Sequence, residues 1–224
     1  METRATTNDG GIPAWARVFY SEPRLGRYLD ACGHDGPATM ELYSWNAQVA
    51  GAFYDPLHKL EIGLRNHIHV QMKLFIKSEH WWTAINLHPV AHNKTTVALA
   101  RAGGKSRHAG RARADDVVAE SSFGFWVSLL ASRYDRQLWI PALRKAFPNF
   151  TGRRSDLHRG FDSVRLLRNR IMHYEPVFHR DLNADHAKII RLMSYLNLDA
   201  AEELKRTSIV PEVLAQRPPR RGQG

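Results

Sequence analysis

Apolar side chains recur at three- and four-residue intervals in nearly every hydrophobic segment, and period-two alternation is almost absent. That pattern predicts an all-α fold, a helical bundle. Ser21-Glu-Pro-Arg reads as a helix start, with Ser as cap, Pro in the first turn and an acid at the positive end. Gly33 is expected to stop that helix just after Cys32. Asp35-Gly-Pro-Ala opens the next. Asp55-Pro56 should break and restart it, because proline suits a first turn and not an interior. Phe53, Leu57, Leu60, Leu64, Ile68 and Leu74 then hold helical spacing to about Lys77. Trp81-Trp82 falls in a connection, and His88-Pro89 opens a helix running through Leu99. Residues 122–132 predict a short buried helix. Residues 138–147 predict another, kinked by Pro141 and closed by Pro148. A final helix is expected over 184–196, continuing toward Lys205. Residues 1–12 read as disordered, 13–206 as a single domain, and 207–224 as a basic tail.

The most informative helix starts near Ser155-Asp156 and must end near Glu175, because Pro176 follows. At 100° per residue, Phe161, Val164, Leu167, Ile171 and Tyr174 share one side, which predicts the core stripe. Arg165, Asn169 and His173 step by four along an adjacent polar ridge, and Arg168 lies between stripe and ridge. Arg168 and His173 are separated by about 140° around the axis. One helix does not easily close that pair on a single phosphate. Two copies facing each other in a symmetric dimer bring both pairs into one cleft.

Composition changes the picture little, and charge changes it more. The chain has 224 residues, 43% hydrophobic and 24% charged, with a formal net charge of +10. Eight uncompensated positive charges sit on two short segments, 101–113 and 217–224. The first carries Arg101, Lys105, Arg107, Arg111 and Arg113 without an acid. Both segments are rich in Gly or Pro, so neither is expected to be regular structure. Mobile basic segments suit a polyanion such as RNA, whose neutralisation releases counterions. They equally suit a solvated loop and a frayed tail.

Other chemistries are narrowed by what is scarce. Cys32 is the sole cysteine, so an intrachain disulfide and a Cys-rich zinc site are excluded. His67 and His69 are two apart, a poor metal pair, and His88 and His92 show no third ligand. No metal and no cofactor is expected. Glu61 and Arg65 are four apart and predict an ion pair or a border of the cleft. The six Trp sit among apolar neighbours and are expected in the core or an interface. The longest uncharged stretches run 13 and 14 residues, too short to span a bilayer. The N-terminus lacks the apolar core of a signal peptide. A cytoplasmic protein without membrane contact is expected.

Arg168-Asn-Arg-Ile-Met-His173 resembles the R-x-x-x-x-H motif of the HEPN superfamily. The wider string from Leu167 to Phe178 is similar to its Abi-like (abortive infection) branch. Leu42-Tyr-Ser-Trp-Asn46, Phe53-Tyr54, Leu60-Glu-Ile-Gly-Leu-Arg-Asn66 and Phe123-Gly-Phe-Trp126 resemble further blocks of that family, in order. The resemblance implies a HEPN-type helical core, a homodimer and a metal-independent RNA endonuclease. The setting it implies is bacterial phage defence or a toxin–antitoxin system, with an antitoxin or noncoding RNA as possible partner. It implies Arg168 and His173 as the catalytic pair, with Asn169 beside the arginine. Arg170 departs from the motif by adding a second cation, and with Arg165 and the basic loop it is expected to meet RNA. RNA supplies its own nucleophile, the 2′-OH, so such a site needs an acid–base group and a cation. Histidine titrates in the range that suits this chemistry, and arginine can grip phosphate bidentately. Two alternatives stay open: an RNA-binding or RNA-sequestering protein that never cleaves, and a protein-interaction component of a defence system.

Overall fold

A computed structural model describes residues 11–105 and 113–219, with Lys105 described by its backbone alone. Among these residues there are ten α-helices and no strand, so the all-α expectation is met. The helices are α1 (Ala14–Tyr20), α2 (Glu22–Ala31), α3 (Gly36–Ile76), α4 (Pro89–Lys105), α5 (Ala114–Glu120), α6 (Phe123–Ser128), α7 (Arg154–Met172), α8 (Leu182–Leu196), α9 (Leu198–Thr207) and α10 (Val210–Ala215). Among the described residues no helix is long and apolar enough to cross a membrane.

Helices α3 and α6 start on side-chain caps, at Asp35 and Ser122, while the two expected caps, Ser21 and Asp55, form none. Asp35 Oδ1 accepts from the Ala38 amide at 2.9 Å and starts α3. Ser122 Oγ accepts from the Phe125 amide at 3.2 Å and starts α6. Ser21 precedes α2, but at φ 67° and without a side-chain cap bond. Other elements differ from expectation. Pro56 does not interrupt α3, which runs 41 residues through it. An interior proline forfeits one backbone bond and strains the turn before it, by about 3 kcal/mol. Burial of Phe53, Leu57 and Leu60 on the flanking turns offsets that cost. Residues 135–146 form a π-helical turn and a 3₁₀ turn in place of one kinked helix. Asn197 separates α8 from α9 by accepting from the Ala200 amide at 2.9 Å. Helices α1 and α5 lacked a sequence signal. Helix α10 occupies part of the expected tail.

The chain divides into two compact units, and α3, α7 and α8 each contribute residues to both. The first unit comprises Met1–Tyr54, Arg170–Asn183 and Ile209–Gly224. Ile12 is buried there with Ala16 and Leu25, so it is a core residue and not part of a disordered end; residues 1–10 of that expectation lie outside the described residues. Tyr28 packs at 5.0 Å from both Tyr43 and Phe178. Trp45 donates through Nε1 to the Val213 carbonyl at 2.9 Å and carries the Arg217 guanidinium over its ring at 5.1 Å. Trp15 is exposed, unlike the buried Trp45, because the one-sided core under α1 is filled by Ala16 and Ile12.

The second unit comprises Asp55–Asn169 and Ala184–Ser208. Leu57, Leu60, Leu64, Ile68 and Met72 form its buried α3 stripe, and Leu74 is exposed. Trp81, Phe125 and Trp126 form an aromatic core cluster with centroids 5.0–6.3 Å apart. Gly160 lets α8 approach α7 closely: a Cβ there would stand 3.1 Å from Leu192 Cδ2.

Candidate functional site

Helix α7 buries Phe161, Val164 and Leu167 completely in the second unit. That fixes its rotation and keeps the neighbouring polar ridge from the core. Arg165 Nε donates to Asp162 Oδ1 at 2.7 Å, an (i, i+3) ion pair. Arg168 Nε stands 3.3 Å from Glu61 Oε2, with side chains 33% and 23% exposed. The contact is an ion pair without hydrogen-bond alignment, since Nε is a buried donor lacking a bonded partner. Glu61 therefore answers Arg168 across helices, while Arg65 donates to Asn66 Oδ1 at 3.1 Å. The expected Glu61–Arg65 pair is replaced, because Glu61 is drawn to the guanidinium on the packed helix. Asn169 is half-buried on the ridge.

The other end of the motif belongs to the first unit. Helix α7 stops at Met172, one turn short of the expected end. The Glu175 amide donates to the Arg170 carbonyl at 2.8 Å and the Tyr174 amide to the Ile171 carbonyl at 3.0 Å. This is a Schellman closure, with His173 as the C-cap and Tyr174 in the left-handed position at φ 57°. His173 is exposed. Tyr174 is 74% exposed, which corrects its place in the core stripe: the helix ends before the residue that its angle would bury. Ile171 does remain buried. Arg170 pairs with Glu175 at 3.7 Å and lies 3.5 Å from His179 Nε2. Burial, reinforced by Arg170, Arg180 and Arg27, holds the His179 imidazole below its ordinary value.

The segment after His173 is pinned from α3. Asn46 Oδ1 accepts from the Val177 amide at 2.8 Å and the Phe178 amide at 3.1 Å. Arg24 donates through Nη2 to the Tyr174 carbonyl at 2.7 Å and through Nε to the Tyr43 hydroxyl at 2.9 Å. A cavity of about 600 Å³ opens here, lined by Arg24, Tyr28, Tyr43, Tyr54, Met172 and Tyr174 among others. Burial pushes the Tyr28 hydroxyl up to about 12, so it stays protonated. Arg24 and the exposed rings of Tyr54 and Tyr174 are groups able to hold a phosphate and stack a base, against one carboxylate in the lining, Glu175.

The basic loop is altered as well. Helix α4 extends through Arg101 to Lys105, so those residues are helical and not loop. Gly103 and Gly104 are tolerated there because Ala102 is fully buried and anchors the turn. Arg101 is exposed. Arg107 and Arg111 lie outside the described residues. Arg113 precedes α5 and stands 3.8 Å from Asp115, both exposed. In the expected tail, Arg217 is docked: besides Trp45 it donates to the Phe178 carbonyl at 2.9 Å.

Arg24 and Tyr54 were not predicted as site residues, and Glu61 was expected only as an ion-pair partner of Arg65 or a border of the cleft. Arg24 sits 150 positions from its carbonyl partner, and no local pattern joins them. Tyr43, Asn46, Tyr54 and Tyr174 stand inside three of the resembling blocks, which was the available signal, and Tyr28 stands in none. Among the described residues no group of three or more His, Cys, Asp or Glu is placed to hold a metal ion. Comparisons with protein-family models, curated proteins and solved structures return no match.

Proposed function

We propose that this chain is an RNA endonuclease that needs no metal, acts as a homodimer, and serves bacterial phage defence or a toxin–antitoxin system. The observation that carries this reading is the exposed histidine that closes α7, with a half-buried arginine five residues before it. A helix locked by a fully buried stripe carries Arg168 and ends in an exposed His173. Arg168 is the phosphate grip. Glu61 approaches its inner nitrogen Nε, and this reading assigns the outer nitrogens to the phosphate. His173 is the acid–base group. The 2′-oxygen bonds to phosphorus and the bond from phosphorus to the 5′-oxygen breaks. One His173 takes the 2′-proton, and the partner subunit's His173 protonates the departing oxygen. The products are a 2′,3′-cyclic phosphate and a 5′-hydroxyl. Arg170 and Arg24 add positive charge beside His173, and Tyr54 and Tyr174 offer stacking faces.

Purified protein incubated with total RNA in EDTA tests the reading. Cleavage with cyclic-phosphate ends is expected, lost in His173→Ala and in Arg168→Ala without loss of fold. Cleavage abolished by EDTA overturns the metal-free assignment. Unchanged cleavage by His173→Ala overturns the assignment of the histidine. Tight RNA binding with no cleavage makes an RNA-sequestering protein the better reading.

A further inference from the structure

The second unit holds a cleft of about 370 Å³ whose lining shares only Arg165 with the residues expected to meet RNA. It lies among α4, α6, residues 131–134 and α7. Lys94, Arg133, His158 and Arg165 line it, against one carboxylate, Asp162. Lys94 and Arg165 converge on the same spot. A Cβ built on Gly124 would stand 3.3 Å from Lys94 Nζ and 3.4 Å from Arg165 Cδ. Lys94 Nζ donates to the Gly124 carbonyl at 3.1 Å, so a backbone oxygen and no acid is its bonded partner. Asp162 is engaged by Arg165 at 2.7 Å. Converging cations with one shared counter-ion repel each other, and an anion in the cleft would relieve that repulsion.

We propose that this cleft is a binding site for a phosphomonoester of about mononucleotide size. Lys94 and Arg133 supply charge, Arg165 a guanidinium edge, and Gly124 the room that a side chain would close. The volume sits at the small end of ligand sites, larger than a bare phosphate needs. Burial, with Arg165 as the next contributor, holds the Lys94 ammonium below its ordinary value. A dianion there favours the charged form of Lys94 and gains a charge-assisted bond. His158 is held below its ordinary value by burial, against Asp162, so it offers a neutral ring edge near neutrality. The same phosphoryl chemistry can come from a free nucleotide or from the phosphorylated end of an RNA. The proposal stands on the second unit alone and does not rest on the nuclease reading.

Titration calorimetry of the full chain with AMP, adenosine, inorganic phosphate, and 5′-phosphorylated and 5′-hydroxyl oligoribonucleotides tests it. AMP should bind at least tenfold more tightly than adenosine. A preference of the same size for the 5′-phosphorylated oligoribonucleotide assigns the site to RNA ends, and AMP binding without it assigns the site to a free nucleotide. Lys94→Met, which keeps the stem and removes the charge, should weaken AMP at least tenfold. Arg133 is exposed, so Arg133→Met keeps the fold and gives a second reading if Lys94→Met does not fold. Equal binding of AMP and adenosine overturns the proposal, as does no AMP binding at millimolar concentration. Parent-like AMP affinity in Lys94→Met and Arg133→Met overturns it too.

Discussion

Replacing Asn46 by alanine should loosen the segment that follows His173. The Asn46 side chain is 6% exposed, and its single oxygen serves two backbone donors, Val177 at 2.8 Å and Phe178 at 3.1 Å. Val177 is fully buried, so water cannot easily replace the lost acceptor. Leaving a buried donor unpaired costs about 1–3 kcal/mol. Two donors, one of them able to relax toward solvent, give a loss of about 3 kcal/mol. For a chain of this size each kcal/mol moves the melting temperature by about 2–4 °C. The expected drop is therefore about 6–12 °C. Hydrogen exchange supplies the local reading: the Val177 and Phe178 amides should lose protection before the rest of α3 and α7. Asn46→Asp keeps an acceptor for both amides and should lose less than the alanine variant at neutral pH. The reasoning is refuted if Asn46→Ala melts within 2 °C of the parent, or if exchange at Val177 and Phe178 is unchanged.

Tyr174→Gly removes a left-handed backbone cost of about 1–2 kcal/mol, partly cancelled by the flexibility of glycine when unfolded. A melting temperature equal to or slightly above the parent's is expected, and a clear drop refutes the strain argument. Glu61→Gln removes the charge beside Arg168. A half-exposed ion pair is worth under about 1 kcal/mol, so stability should change little and RNA affinity should rise by about twofold to fivefold. Weaker RNA binding in a filter assay contradicts the phosphate role of Arg168. His69, His158 and His186 are each held below the ordinary histidine value by burial. The unfolded chain then binds more protons, so stability is full above about pH 6.5 and falls as the pH drops through that value toward the folded pKa values. Urea midpoints at pH 7.5 and 5.5 should differ in that sense, and equal midpoints refute it.

The helical class, the helix start at Asp35, and the stripe Phe161, Val164, Leu167 and Ile171 were legible in the amino-acid sequence. Each depends on neighbours within one or two turns, and periodicity records such relations directly. The half-buried place of Arg168 at the edge of the stripe and the exposure of His173 were legible in the same way. Their partners were not. Glu61, Asn46 and Arg24 meet the end of the chain's seventh helix or the residues just after it from more than 100 positions away. Local rules also gave way where distant burial outweighed them. Pro56 stays inside α3 because the residues around it are buried on a packed helix, and Gly103-Gly104 stay helical beside buried Ala102. Tyr174 failed as a core residue for the opposite reason: the Schellman closure ended the helix before its angle could count. Propensity and capping act through about 1 kcal/mol at single positions, whereas burial sums over many contacts brought together only by the tertiary fold.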